Sequence, residues 1–135
     1  MTNITFAWSD AYSVGHPILD SQHRKLLELC SRIDRLPVAE DPTYQEKIGN
    51  LVHFISEYAR VHFDTEEKLL RQINYPERAG HEKEHQAYYA QVTHLEKALH
   101  EGAIDTEQLK RFLHDWWISH ILTSDMQYKP WLSQA

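Results

Sequence analysis

Apolar residues recur at alternating steps of three and four along four stretches of this chain. The second stretch shows the period best, with Ile48, Val52, Ile55 and Ala59 in phase. This spacing is typical of an amphipathic helix that buries one face. Glycine and proline interrupt the pattern, and the predicted helices span residues 18–36, 43–73, 77–100 and 106–123. Because short connections favour antiparallel neighbours, the sequence predicts an all-α, up-down-up-down four-helix bundle with an N-terminal arm and a short C-terminal tail, formed as one domain by residues 1–135.

Ionisable side chains interrupt the apolar stripe of every predicted helix. They are His23 in the first helix, His62 and Glu66 in the second, His81 and His85 in the third, and His120 in the fourth, followed by Asp125. Residues four apart share one helical face, as in the two pairs of the second and third helices. Burying such groups without partners costs several kcal/mol each, so a shared partner is expected. Five imidazoles and two carboxylates are too many for one tetrahedral zinc, and they suit two metals that share the carboxylates.

The spacing of His120 and Asp125 does not fit a regular α-helix. Five residues at 100° each leave Asp125 about 140° away from His120 around the helix axis. Either the fourth helix ends in a wider π-type turn that aligns residues five apart, or it stops and the chain turns Asp125 inward. Both alternatives bring the carboxylate to the other ligands.

The segment from His81 to His85 also matches the H-E-x-x-H motif of zinc proteases, with Glu82 as the general base. That interpretation leaves the other predicted ligands unexplained. It also places Glu82 off the buried stripe, toward solvent. The sequence therefore favours the shared metal centre over a protease site.

Composition narrows the class of protein further. The formal charge is −6, from 20 acidic and 14 basic residues, and no basic patch suits a nucleic acid or an anionic membrane.

Cys30 is the single cysteine, so an intrachain disulfide is excluded and a reducing compartment is expected. Its position favours a small buried side chain over a reactive thiol. Neither a secretory signal nor an apolar run of about 20 residues is present, which predicts a cytoplasmic protein with no membrane insertion.

With these residues in view, the chain resembles the hemerythrins, in particular their single-domain bacterial type. The matching segments run in order along the chain: Trp8, residues 14–17, residues 18–23, residues 62–67, His81 and His85, residues 120–125, and Tyr128. A pattern of seven ligands at intact spacings is highly specific. The up-down-up-down bundle expected from the periodicity has a precedent in myohemerythrin.

The resemblance implies two iron ions and O₂ as their ligand. One iron takes His81, His85 and His120, while the other takes His23 and His62 and keeps an open position. Glu66 and Asp125 bridge the two irons together with an oxo or hydroxo group. The residues that match the walls of the oxygen pocket are Leu26, Phe63, Trp116 and Ile121. Imidazole-rich sites with mixed nitrogen and oxygen ligands also suit iron better than structural zinc.

The expected function is therefore reversible O₂ binding by a non-haem di-iron protein, for oxygen storage or delivery. A sensor of O₂ or redox state, and a di-iron enzyme acting as an oxidase, peroxidase or nitric-oxide handler, are the alternatives, because function depends on details of the site. The expectation is a monomer that is not itself an enzyme, with O₂ and an oxygen-using enzyme as partners.

Overall fold

The structure is a computed structural model that describes residues 8–35, 42–102 and 106–132. Its elements in chain order are a 3₁₀ turn at Asp10–Tyr12, α1 at Pro17–Arg35, α2 at Pro42–Gln72, α3 at Arg78–His100, α4 at Thr106–Ser119, a π-helical segment at His120–Asp125, and α5 at Met126–Leu132. The first three helices agree with the prediction to within one residue wherever the described residues allow the comparison. Residue 36, the predicted end of the first helix, lies outside the described ranges.

The helices form a square bundle in which each packs on two neighbours. Helix α1 packs on α2 and α4, and α3 also packs on α2 and α4. Arg71, late in α2, pairs with Glu82, early in α3, whereas Ser56 of α2 bonds to Glu96, much later in α3. This reversed order of contacts shows that α2 and α3 run antiparallel. The predicted all-α four-helix bundle is confirmed.

The fourth helix differs from the prediction because it does not end near residue 123. It passes through the π-helical segment and continues as α5 to Leu132, so most of the expected tail is helical. Tyr128 of α5 is fully buried and packs in an apolar cluster with Leu19 and Leu70. Burial of this aromatic ring favours continuation of the helix, because large apolar side chains stabilise the segment that carries them.

The predicted ligands lie between two apolar clusters along the bundle axis. The smaller cluster contains Val14, Leu19, Leu70, Tyr75 and Tyr128. The larger cluster begins at Leu26, Phe63, Tyr88 and Ile121 and extends to Ile33, Ile48, Leu99 and Leu109. Along the chain, the predicted ligands of each helix fall between a residue of one cluster and a residue of the other, which for α3 is Tyr75, just before the helix begins. The ionisable layer is therefore enclosed by apolar packing above and below.

Burial of individual side chains can be compared with the apolar stripes predicted from the sequence. The apolar stripe of α2, from Ile48 to Ala59, is fully buried, and Cys30 is buried as expected, which raises the pKa of its thiol. In α4 the fully buried tryptophan is Trp117, whereas Trp116, predicted for the stripe, is only partly buried. Leu109, Leu113 and His120 of the same predicted stripe are buried as expected, so the difference is confined to the choice between two adjacent tryptophans.

The approach to α1 orients the first predicted ligand. Gly15 has a positive φ of 79°, a conformation that glycine adopts without steric cost. The Asp20 carboxylate then accepts a hydrogen bond from the Ser13 hydroxyl at 2.6 Å and another from the Val14 backbone N–H at 2.9 Å. These contacts hold the arm against the first turn of α1, one turn before His23.

Candidate metal centre

All seven predicted ligand residues meet in one buried layer of the bundle. Helix α1 contributes His23, α2 contributes His62 and Glu66, α3 contributes His81 and His85, and the π-helical segment contributes His120 and Asp125. Each is at most 5% exposed. Their donor atoms form two groups that share Glu66: one with His81, His85 and His120, the other with His23, His62 and Asp125.

Each carboxylate presents one oxygen to each group of histidines. Glu66 Oε1 lies 3.0 Å from His85 Nε2, while its Oε2 lies 3.3 Å from His62 Nε2. Asp125 Oδ1 lies 3.0 Å from His81 Nε2, while its Oδ2 lies 3.0 Å from His23 Nε2. Asp125 Oδ1 also approaches the Nε2 atom of His120 at 3.1 Å. Both carboxylates are thus placed to bridge two cations.

Apart from the contact between His81 Nε2 and Glu66 Oε1, the donor atoms converge without satisfying one another, and this observation tests whether a metal fits. Among the described residues, the buried atoms without a hydrogen-bond partner include Nε2 of His23, His62, His85 and His120 and both carboxylate oxygens of Asp125. Several of these atoms are only about 3 Å apart, so distance is not what prevents the bonds. Two atoms bound at right angles to one metal at about 2.1 Å also lie about 3 Å apart. The donor set therefore fits metal cations, which would remove the cost of leaving these atoms unpaired.

A second layer of hydrogen bonds fixes the tautomers of three histidines. The bonds are His62 Nδ1 to Gln22 Oε1 at 2.8 Å, His85 Nδ1 to Glu67 Oε1 at 3.3 Å, and His120 Nδ1 to Glu84 Oε2 at 2.9 Å. The bond from His120 lowers the pKa of Glu84 to about 2, so that carboxylate is ionised and can only accept. Each Nδ1 therefore carries the proton and each Nε2 presents its lone pair, as a metal ligand requires.

Tyr128 of α5 supports one of the two buried carboxylates. Its hydroxyl is buried and donates to Glu66 Oε2 at 2.9 Å. Burial, with the nearby Asp125 and Glu66 charges, raises the pKa of Tyr128 well above its usual value. The phenol therefore keeps its proton and acts as a permanent donor to the carboxylate.

The electrostatics of the layer favour bound positive charge. Burial alone would raise the pKa of Glu66 and Asp125, but the surrounding histidines hold both carboxyl pKa values well below their usual range. Burial opposes protonation of His23 and His81, yet the nearby carboxylates outweigh it and raise the pKa of each to about 9. Two buried carboxylates thus remain ionised and attract cations into the layer.

The π-helical segment is what brings Asp125 into the layer. In a regular α-helix Asp125 would point about 140° away from His120. The wider π turn from His120 to Asp125 instead lets residues five apart face the same way. Of the two alternatives left open by the spacing, the structure shows the π-helical one, and the helix continues beyond it.

Aromatic and apolar side chains surround the ligand layer. Leu26, Phe63 and Ile121 are at most 1% exposed, and Phe63 stacks on the His85 ring with centroids 3.7 Å apart. Trp116 stacks on the His120 ring at 4.4 Å and lines an open groove. All four residues expected to wall the pocket thus adjoin the ligands or the apolar core, although their role toward O₂ stays a prediction.

Periodicity missed several residues of the site. Trp117 is fully buried, and its ring lies 6.3 Å from the ring of His62. Gln22, Glu67 and Glu84 also escaped prediction. Each of the three directly adjoins a ligand in the sequence but bonds a histidine of another helix. That adjacency was the available signal, because a metal-binding histidine usually donates its other ring N–H to a nearby polar group.

The protease interpretation fails on the position of its proposed base. Glu82 pairs with Arg71 at 2.9 Å on the surface between α2 and α3. The carboxylates that face the histidine Nε2 atoms are Glu66 and Asp125 instead.

Comparison with known proteins agrees with this geometry. Residues 14–132 match the family model described as the hemerythrin HHE cation binding domain. The chain belongs to the hemerythrin family. Bacteriohemerythrin of Stenotrophomonas maltophilia is 26% identical over 121 residues, covering 90% of this chain and 77% of that protein. Bacteriohemerythrin of Clostridium acetobutylicum is 28% identical over 126 residues, covering 91% and 98%.

Solved hemerythrin structures share the fold of this chain. A crystal structure of wild-type hemerythrin superimposes with a TM-score of 0.81 at 26% identity, covering 98% of each chain. This hemerythrin-family chain also has no helix, within its described residues, that combines the length and apolar character needed to cross a bilayer.

Proposed function

We propose that this chain is a non-haem di-iron protein that binds O₂ reversibly. The observation that carries the proposal is the pair of carboxylates, Glu66 and Asp125, each aiming one oxygen at either group of histidines. Membership of the hemerythrin family supports iron as the metal and O₂ as its ligand. Imidazole-rich sites with mixed nitrogen and oxygen donors suit iron as well.

The two groups supply unequal numbers of donors. The first supplies three histidine nitrogens, from His81, His85 and His120, with one oxygen from each carboxylate. The second supplies only the nitrogens of His23 and His62 with the remaining oxygens. We therefore assign the open position for a small ligand to the side of His23 and His62. When bound, two ferrous ions would supply the electrons that reversible O₂ binding requires.

The chain itself orients the ligands and keeps bulk water out. Gln22, Glu67 and Glu84 hold three imidazoles so that Nε2 faces inward, and Tyr128 holds Glu66. Leu26, Phe63, Trp116 and Ile121, the residues expected to wall the pocket, are joined by the buried Trp117. An apolar surround limits access of water and protons, which would otherwise promote oxidation of the metal centre.

We further propose that the protein stores O₂ or delivers it to an oxygen-using enzyme and is not itself an enzyme. All seven ligands come from one chain, which supports a site that is complete in a monomer. The single, buried Cys30 is compatible with a reducing compartment and hence with the cytoplasm.

Elemental analysis and an anaerobic O₂ titration test the proposal. We expect two irons per chain after iron-replete expression, and an optical change on O₂ addition that reverses on degassing. Glu82→Ala is the matched control, because Glu82 pairs with Arg71 and should leave both results unchanged. One metal per chain, or zinc alone, would contradict the di-iron centre. An O₂ reaction that does not reverse would instead favour an enzyme.

A further inference from the structure

Glu84 contacts both ends of the π-helical segment with a single oxygen atom. Its Oε2 accepts a hydrogen bond from His120 Nδ1 at 2.9 Å and another from the Ser124 hydroxyl at 2.6 Å. His120 is the first residue of the segment, and Ser124 directly precedes Asp125, the last. One carboxylate of α3 therefore ties the two ends of this turn together.

The segment needs such support because a π-helical turn is uncommon. A chain of this composition would otherwise relax toward α-helical or frayed conformations, in which residues five apart no longer align. Ser124 could bond its own helix, as serine often does, but its hydroxyl bonds to α3 instead. A bond to a charged acceptor is stronger than one to a neutral carbonyl, which favours the contact across the helices.

Glu84 differs in this respect from Glu67, the other carboxylate that bonds a ligand histidine. Glu67 contacts His85 alone among the ligands, at 3.3 Å. Its partner lies within the regular helix α3, which keeps its conformation through its own backbone hydrogen bonds. Loss of Glu67 should therefore loosen one imidazole and leave the chain path unaltered.

We propose that Glu84 is a positioning residue that locks the π-helical segment and thereby places two ligands at once, His120 directly and Asp125 through Ser124. The part of this inference that concerns metal retention rests on the proposed function. The part that concerns the backbone does not, because both hydrogen bonds are made by the protein alone. Loss of Glu84 should therefore affect the chain even when no iron is bound.

Amide hydrogen exchange of the iron-free protein tests the backbone part. Glu84→Ala should raise exchange across residues 120–126 by about tenfold or more, since it removes two charge-assisted hydrogen bonds. Ser124→Ala removes one of them and should give a smaller increase in the same residues. Glu84→Gln keeps an acceptor oxygen and should restore much of the protection. Glu67→Ala and Glu82→Ala should leave this segment as in the wild type.

Iron release to a chelator tests the part that concerns the metal. Glu84→Ala should release iron about 10- to 100-fold faster than the wild type, the usual effect of losing a partner of a ligand histidine. Ser124→Ala should also accelerate iron release. The Ser124 hydroxyl bonds to Glu84, so its effect on the ligands is expected to act through that carboxylate. Glu82→Ala, on the same helix, should release iron at the wild-type rate.

Any one of four results would overturn the inference. If residues 120–126 exchange in Glu84→Ala at the same rate as in Glu82→Ala, the contacts of Glu84 do not hold the segment. The same conclusion follows if Glu84→Gln protects these residues no better than Glu84→Ala. Equal acceleration of that exchange by Glu67→Ala would show that the effect is not specific to Glu84. Faster iron release without faster exchange would mean that Glu84 acts on His120 alone. A wild type that binds no iron would refute the proposed function while leaving the exchange comparison decisive for the backbone.

Discussion

Replacement of Trp117 by alanine should lower the stability of the protein and loosen the packing around the site without removing its metal. The indole is fully buried and lies 5.5 Å from Phe63, 5.2 Å from Tyr88 and 6.3 Å from His62, measured between ring centroids. Removal of a buried tryptophan side chain costs about 3–5 kcal/mol through lost burial and the cavity that remains. The Trp117 indole N–H also donates to the Tyr88 hydroxyl at 3.3 Å, and that bond is lost too.

The expected loss of stability converts to a large shift in melting temperature. A chain of 135 residues unfolds with an entropy of about 280 cal/mol/K, so each 1 kcal/mol shifts Tm by about 3.5 °C. Trp117→Ala should therefore melt about 10–18 °C below the wild type. Trp117→Phe keeps an aromatic ring and should lose less, because it leaves a smaller cavity, in addition to the loss of one hydrogen bond worth about 1 kcal/mol.

The same variant should oxidise faster while it keeps its iron. Trp117 is not a ligand, so elemental analysis should find a near-normal iron content. The cavity opens beside His62, on the side to which we assign the open position, and water can reach it more easily. Decay of the oxygenated optical spectrum should therefore accelerate in Trp117→Ala and remain close to wild type in Trp117→Phe.

Trp116→Ala and Leu26→Ala test the two other side chains expected to wall the oxygen pocket. If these side chains do wall it, both variants should also show faster decay of the oxygenated optical spectrum. Trp116 is only partly buried, so its alanine variant should lose less stability than Trp117→Ala. If Trp117→Ala retains full iron and decays no faster than the wild type, the reasoning that places a water barrier beside His62 is wrong. A Tm within about 5 °C of the wild type would refute the packing argument.

Iron removal, loss of a hydroxyl and loss of a ligand each have an expected outcome. In the folded, iron-free protein the pKa of His23 and of His81 is raised from 6.5 to about 9. These groups therefore stabilise the iron-free fold below pH 6.5, and that stability should be lost as the pH rises toward 9. A flat profile of Tm against pH would contradict this. Tyr128→Phe removes a hydrogen bond to ionised Glu66 and should cost about 1.5–3 kcal/mol, measured by thermal unfolding, where an unchanged Tm would refute the role of the hydroxyl. His120→Ala should lower iron content by elemental analysis, and a full complement of iron would argue against this ligand.

Much of the fold and the set of candidate ligands followed from the sequence for a simple physical reason. A bundle buries one stripe of each helix, so the period of apolar residues reports which positions face inward. Polar residues in phase with that stripe, such as His62 and Glu66, are conspicuous because burial without a partner is costly. The five-residue step from His120 to Asp125 likewise signalled an irregular turn, because no regular α-helix aligns those positions.

The tertiary structure alone decided contacts that depend on how helices are rotated and paired. Steps of three or four after Leu113 allow either Trp116 or Trp117 in the stripe. Only the packed bundle decides between them: it encloses Trp117 fully and leaves Trp116 partly exposed, stacked on the His120 ring. Burial of Tyr128 carries the last helix past the π turn, where the sequence permitted it to stop.

The pairing of helices in the second layer of hydrogen bonds was also beyond the reach of sequence alone. Gln22, Glu67 and Glu84 each sit beside one ligand in the chain but bond a histidine of another helix. Periodicity describes which face of one helix is buried, and it carries no information about the height and rotation at which a second helix meets it. The sequence by itself therefore determined the candidate ligands and the architecture, whereas the partners that orient those side chains were set by the packing of helix against helix.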